Sequence, residues 1–148
     1  MMKAAVAQVK LYEDMEANLI TISKYISLAS KEDIDLLCFP ECNITGYMRD
    51  FTKVNQNKVM DTLDIIQKQV THNSVNVIVG APYFERKKRF NSAIVLLTNG
   101  RRHIYHKINL TSSDEAYFKR GKEPLIFQVG NVKFGVLICR DQNDPMLA

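Results

Sequence analysis

The sequence predicts an α/β protein whose sheet is mixed, parallel at its start and antiparallel further on. Three observations carry this. The chain opens strand, helix, strand, the pattern of a parallel crossover unit. Asn99-Gly100 then sits between two apolar runs, a strong signal for a two-residue hairpin. Finally, Val132, Phe134, Val136 and Ile138 alternate with Lys133, Gly135 and Leu137, and past Lys133 both faces are apolar or small. That last run reads as a strand buried inside a sheet, leading straight into Cys139.

Lys3 to Val9 is the first strand. From Glu13 to Ser30 the apolar residues Met15, Leu19, Ile22, Ile26 and Ala29 fall at helical spacing, with Glu13, Asp14 and Glu16 placed to suit the positive end of the helix dipole. Ile34 to Phe39 is a short buried strand, interrupted by Asp35 and ended by Pro40, which has no N–H for a ladder. A loop through Gly46 and Tyr47 leads to a second amphipathic helix, striped by Val59, Leu63, Ile66 and Val70 and closed at Asn73-Ser74. Three strands follow, over Val75 to Tyr83, Asn91 to Thr98 and Arg101 to Lys107, with the basic run Arg86 to Arg89 as a solvated hairpin tip. Leu110 to Gly121 reads as an irregular loop, and a hairpin turning at Gly130-Asn131 delivers the chain to Cys139. After the polar run Arg140 to Asp144, Pro145 suits the first turn of a helix.

A hydrophobic fraction of 46% and a charged fraction of 24% are those of an ordinary globular domain, and 148 residues suffice for one. No apolar run is long enough to cross a membrane and no secretory signal opens the chain, so a cytoplasmic protein without membrane contact is expected. Three cysteines without such a signal read as reduced thiols, and neither Cys38 with Cys42 nor His103 with His106 has metal-ligand geometry. A formal charge of +4, densest at one hairpin tip, gives little support to nucleic-acid binding, and none is expected.

Three chemically capable side chains stand at the ends of expected strands: Glu41, Lys107 and Cys139. Open α/β sheets place their sites beyond the carboxyl ends of their strands. A thiol at a strand-to-helix turn lies near N–H groups that favour a thiolate, although a cysteine after an apolar strand is more often a small core residue. Taken singly, Glu41 reads as a solvated loop carboxylate and Lys107 as an exposed lysine. Alternation puts His103, Tyr105 and Lys107 on one face of their strand and Ile104 and His106 on the other.

An ordered series of residues resembles the nitrilase, or carbon–nitrogen hydrolase, superfamily across essentially the whole chain. It comprises Phe39-Pro40-Glu41 followed by Gly46-Tyr47; Gly80 before a strand; Asn91-Ser92-Ala93; Asn99-Gly100; Tyr105 to Leu110 around Lys107; Glu115 with Tyr117-Phe118 and Gly121; and Gly135 to Cys139 with Asp141. The resemblance implies a nitrilase-like four-layer α-β-β-α sandwich, of which residues 1 to 148 would be the N-terminal part, a truncated domain ending just after the nucleophile. It implies a Glu-Lys-Cys triad of Glu41, Lys107 and Cys139, with Glu115 as an additional active-site glutamate. Cys139 would attack an amide, carbamoyl or nitrile carbon, Glu41 would move the proton, and Lys107 with the N–H of Arg140 would face the oxyanion. No metal or organic cofactor is implied.

The expected substrate is a small linear amide or an N-carbamoyl compound, as in amidases and β-ureidopropionase-like N-carbamoyl amidohydrolases. The expected partner is a second copy of the chain or a complementing C-terminal half. The alternative is a catalytically inactive remnant serving as a binding or assembly subunit. Asp144 and Met146 flank Pro145, where the family commonly has an aromatic residue and a glutamate.

Overall fold

The computed structural model describes residues 1–147. Its centre is a five-stranded sheet in the order β1-β2-β3-β4-β5, with β1 (Ala4–Val6), β2 (Leu36–Cys38), β3 (Asn76–Glu85), β4 (Lys88–Leu96) and β5 (Arg102–His106). β1 to β3 run parallel, and β4 and β5 add antiparallel, so the mixed sheet follows the expected pattern.

α1 (Met15–Lys31) and α2 (Gln56–Asn73) cover one face. Each begins at a capping side chain: Asp14 accepts from the N–H groups of Glu16 and Ala17, and Asn55 from that of Lys58. Their stripes pack on Leu37, Val77, Val79, Ile94 and Leu96 in one core. Ile22, Ile26, Leu63 and Ile66 are fully buried, each contributing about 1.5–3 kcal/mol over an exposed aliphatic.

The opposite face carries Leu36, Ala93, Val95, Leu97 and Tyr105 and is covered by a separate hairpin, β6 (Ile126–Val129) with β7 (Val132–Gly135). The layers are therefore helix, sheet, then a second β layer. Val6, 83% exposed, lies on the part of this face that the hairpin does not reach.

Five expectations need correction. The run Val132 to Ile138 is not a strand buried inside a sheet: β7 ends at Gly135, and only Phe134, Val136 and Ile138 turn toward the core, while Leu137 is 41% exposed. The alternation was a one-sided pattern, with glycine and leucine on the outer face masking it. The helical turn near the end begins at Cys139, not at Pro145: it is a 3₁₀ segment, Cys139–Asn143. The basic run is only half a tip, since Arg86 and Lys87 take positive φ in the turn while Lys88 and Arg89 are already in β4. Gly80 lies within β3 rather than before a strand, and Leu110 to Gly121 contains a short helix, α3 (Ser112–Glu115). Among the described residues, no helix is long and apolar enough to cross a membrane.

Candidate active site

β2 leaves the sheet at Cys38 and turns through Pro40, Glu41 and Cys42. The turn is pressed onto β3: Phe39 N–H donates to Ile78 O, and Ile44 N–H to Gly80 O, both at 2.9 Å. A Cβ on Gly80 would stand 2.4 Å from the nitrogen of Cys42 and 2.6 Å from the carbonyl oxygen of Pro40. Only glycine lets the turn approach so closely. Cys42 takes φ +53°, in the left-handed region where a side chain is strained.

Lys107 follows β5 directly, and its side chain is 1% exposed. The alternation that pairs it with Tyr105 sends both to the face opposite the helices. There Lys107 Nζ donates at 2.8 Å to Glu41 Oε1 and at 2.8 Å to Asp114 Oδ2. Burial alone would pull the lysine's pKa down, but the hydrogen bonds and charges of Asp114 and Glu41 outweigh it and hold the pKa above its ordinary value. Lys107 is therefore a fixed positive charge at neutral pH and not a proton acceptor.

Asp114 occupies the place expected of Glu115. Its side chain is 1% exposed and also accepts the hydroxyl of Tyr47 at 2.8 Å. Burial pushes its pKa up, yet the hydrogen bonds from Lys107, the Thr111 backbone and Tyr47 hold it below the usual carboxylate range. The same contact, after burial, pushes the Tyr47 hydroxyl well above its ordinary value. Glu115 instead points outward and pairs with Arg120, both about half exposed. The reason is helical phase: Thr111 and Asp114 form a reciprocal capping box at the start of α3, which fixes Asp114 inward and rotates its neighbour to solvent. Thr111-x-x-Asp114 was readable in the sequence as that motif.

Asp141, wholly buried, fixes the turn bearing Cys139. It accepts from the N–H of Ile138 at 3.0 Å, the N–H of Asn109 at 2.7 Å and the hydroxyl of Tyr105 at 2.7 Å. These bonds tie the turn to the segment after Lys107. Burial and the bond to Asp141 push the Tyr105 hydroxyl far above its ordinary value. Cys139 itself is exposed and takes φ +47° at the start of the 3₁₀ segment, where N–H groups such as that of Arg140 lack helical partners. Glu41 and Cys139 line one cleft of about 180 Å³ between the β2 turn and the segment after β7. Asp144 accepts from the side chain of Asn109 at 3.1 Å, and Met146 is exposed.

The carbon–nitrogen hydrolase family model matches residues 3–148. The chain belongs to the carbon–nitrogen hydrolase family. Among curated relatives, this carbon–nitrogen hydrolase chain is 29% identical over 140 residues to a glutamine-dependent NAD(+) synthetase from Thermotoga maritima, covering 90% of the chain and 24% of the relative. It is 30% identical over 162 residues to a probable nitrilase from Schizosaccharomyces pombe, covering 99% of the chain and 58% of the relative. Among solved structures, the NitN amidase from Nesterenkonia sp. AN1 shares the fold with a TM-score of 0.92 at 21% identity, over 99% of this chain and 60% of that one. The chain thus spans from about a quarter to about three-fifths of the length of these relatives. The mixed sheet and its layers are those of the nitrilase superfamily.

Proposed function

We propose that this carbon–nitrogen hydrolase chain cleaves the C–N bond of small linear amides or N-carbamoyl compounds through a thioester on Cys139, with Glu41 as the proton carrier. The observation that carries the reading is the buried contact of Lys107 with both Glu41 and Asp114, together with the cleft that Glu41 shares with the Cys139 thiol. A lysine held charged cannot be the base, which leaves Glu41 for that work.

In the first half-reaction the Cys139 thiol gives its proton to the Glu41 carboxylate, and the sulfur attacks the carbonyl carbon. The oxyanion is met by the Lys107 ammonium and the Arg140 N–H. Glu41 returns the proton to the departing nitrogen, so ammonia or an amine leaves as the C–N bond breaks. In the second half-reaction Glu41 takes a proton from water, the hydroxide adds to the thioester, and the C–S bond breaks to release the acid and restore the thiol. Proton transfer by one positioned carboxylate contributes about 10²- to 10⁴-fold to such a rate. Asp114 holds Lys107 and does not touch the reacting atoms.

The test is ammonia release from a panel of short aliphatic amides and N-carbamoyl amino acids, with mass mapping of the acylated cysteine. Turnover with an acyl adduct on Cys139, lost in Cys139→Ala, supports the reading. Turnover that survives Cys139→Ala, or neither ammonia nor adduct with any member of the panel, contradicts it.

A further inference from the structure

Asn91 is fully buried in β4 and joins the two chemical strands of the site. Its backbone carbonyl accepts the N–H of Lys107 at 2.8 Å, beyond the last paired residues of β5. Its side-chain amide nitrogen donates at 2.6 Å to Glu41 Oε1, the same oxygen that receives Lys107 Nζ. Its amide oxygen faces the buried Cys42, whose thiol donates to it with sulfur at 3.7 Å. An ionised carboxylate only accepts hydrogen bonds, so Glu41 takes the NH₂ end of the amide. That leaves the amide oxygen for the Cys42 thiol, which donates to it and braces the amide against turning.

We infer that Asn91 is the positioning residue of the proton carrier, that Cys42 braces its amide from the oxygen end, and that Oε2 of Glu41 is the oxygen that exchanges the proton with Cys139. The inference rests on the reading of Glu41 as the base and goes beyond it by assigning the oxygen and the two residues that fix it. Oε1 receives two donors, one of them charged, which commits its lone pairs. Oε2 is left as the oxygen of this partly exposed carboxylate that can turn a lone pair toward the cleft. Burial drives the Cys42 thiol far above its ordinary range, followed by the charge of Glu41, so it remains S–H and keeps its donor role throughout the working pH range. A thiol next to a catalytic carboxylate is thus a fixed hydrogen-bond donor and not a second nucleophile.

The substitutions that separate this role from mere packing are isosteric. Asn91→Asp keeps the shape but places an acceptor where the donor was. Cys42→Ala removes the bracing donor, and Cys42→Ser restores one. The readout is the alkylation rate of Cys139 against pH, mapped by peptide mass, with folding checked by circular dichroism. A carboxylate that loses a donor to its ionised form holds its proton to higher pH. Asn91→Asp is therefore expected to move the acid limb of the Cys139 profile upward by about one pH unit. Cys42→Ala is expected to move it in the same direction by less, and Cys42→Ser to leave it in place.

A folded Asn91→Asp protein with the wild-type profile overturns the inference. If Asn91→Asp does not fold, the Cys42 pair decides, and identical profiles for Cys42→Ala and Cys42→Ser overturn it. Glu41→Gln distinguishes the two levels. If it leaves the wild-type profile unchanged, the base assignment itself fails, whereas a change in Glu41→Gln with none in Asn91→Asp removes only the positioning role.

Discussion

Lys107 and Asp114, seven residues apart in the chain, meet at 2.8 Å with each side chain 1% exposed. Glu41 joins them from a turn 66 residues before Lys107. Two carboxylates therefore share one buried ammonium. Removing one member of a buried pair leaves the other uncompensated, which costs about 3–5 kcal/mol. Asp114→Ala leaves Lys107 paired with Glu41, so it is expected to fall short of that and lower unfolding stability by about 1–3 kcal/mol in urea titrations, the cost of unsatisfied buried donors. Glu115→Ala, which removes an exposed pair with Arg120, should change it by less than about 1 kcal/mol. Equal losses from the two substitutions would contradict the assignment of Asp114.

The same pair sets a pH dependence. The folded-state pKa of Asp114 is lowered, so its contribution is present above the ordinary aspartate value near about 3.9 and is lost as pH falls through its lower folded value. That of Lys107 is raised, so its contribution is present below the ordinary lysine value near about 10.4 and is lost as pH rises through its higher folded value. Stability owed to this pair should be flat between those limits and fall outside them. Urea midpoints measured across pH check this: Asp114→Asn should remove much of the acid-side fall.

The site was legible in the sequence to different depths. Glu41, Lys107 and Cys139 were visible because each stands at the end of an expected strand, and alternation alone placed Lys107 on the face of Tyr105. The inward turn of Asp114 was missed, although Thr111-x-x-Asp114 announces a capping box, because a four-residue helix leaves no apolar periodicity to read. The one-sidedness of the last strand was hidden by composition. Gly135 and Leu137 made an outward face look like a second buried one, and which side a residue faces depends on the layer beneath it. The part played by Asn91 was also hidden. Nothing local distinguishes a strand asparagine that donates to Glu41, 50 residues earlier in the chain.

Close backbone approach supplies a sharper test of the geometry. At Gly121 a Cβ would lie 2.0 Å from the carbonyl oxygen of His106, while the Gly121 N–H donates to Lys107 O at 2.9 Å. Gly80 is similarly confined beneath the Glu41 turn. Gly80→Ala and Gly121→Ala should each cost at least about 1–3 kcal/mol of stability, since backbone must shift to accept the methyl. Gly100, with nothing near its Cβ position, is the comparison for crowding. There an alanine meets only the strain of a positive φ, about 1 kcal/mol. Thermal melts of the three variants should rank them accordingly.

Asp141 makes a further, independent prediction. A buried carboxylate accepting three hydrogen bonds is worth more than any one of its donors, at about 1.5–3 kcal/mol for a bond to a charged group. Tyr105→Phe should therefore cost less than Asp141→Ala. Both should loosen the Cys139 turn, read as faster amide hydrogen exchange at Ile138 and Asn109.

The most direct test of the central claim, that Glu41, Lys107 and Cys139 act as one unit, is the alkylation rate of each cysteine, mapped by peptide mass, in the wild-type chain, Lys107→Ala and Glu41→Gln. The account predicts that Cys139 reacts faster than Cys38 at neutral pH. It also predicts that losing the Lys107 charge slows Cys139 by about tenfold, the equivalent of one pH unit of lost thiolate, with Cys38 unaffected. Cys139 reacting like Cys38 in all three proteins would contradict it.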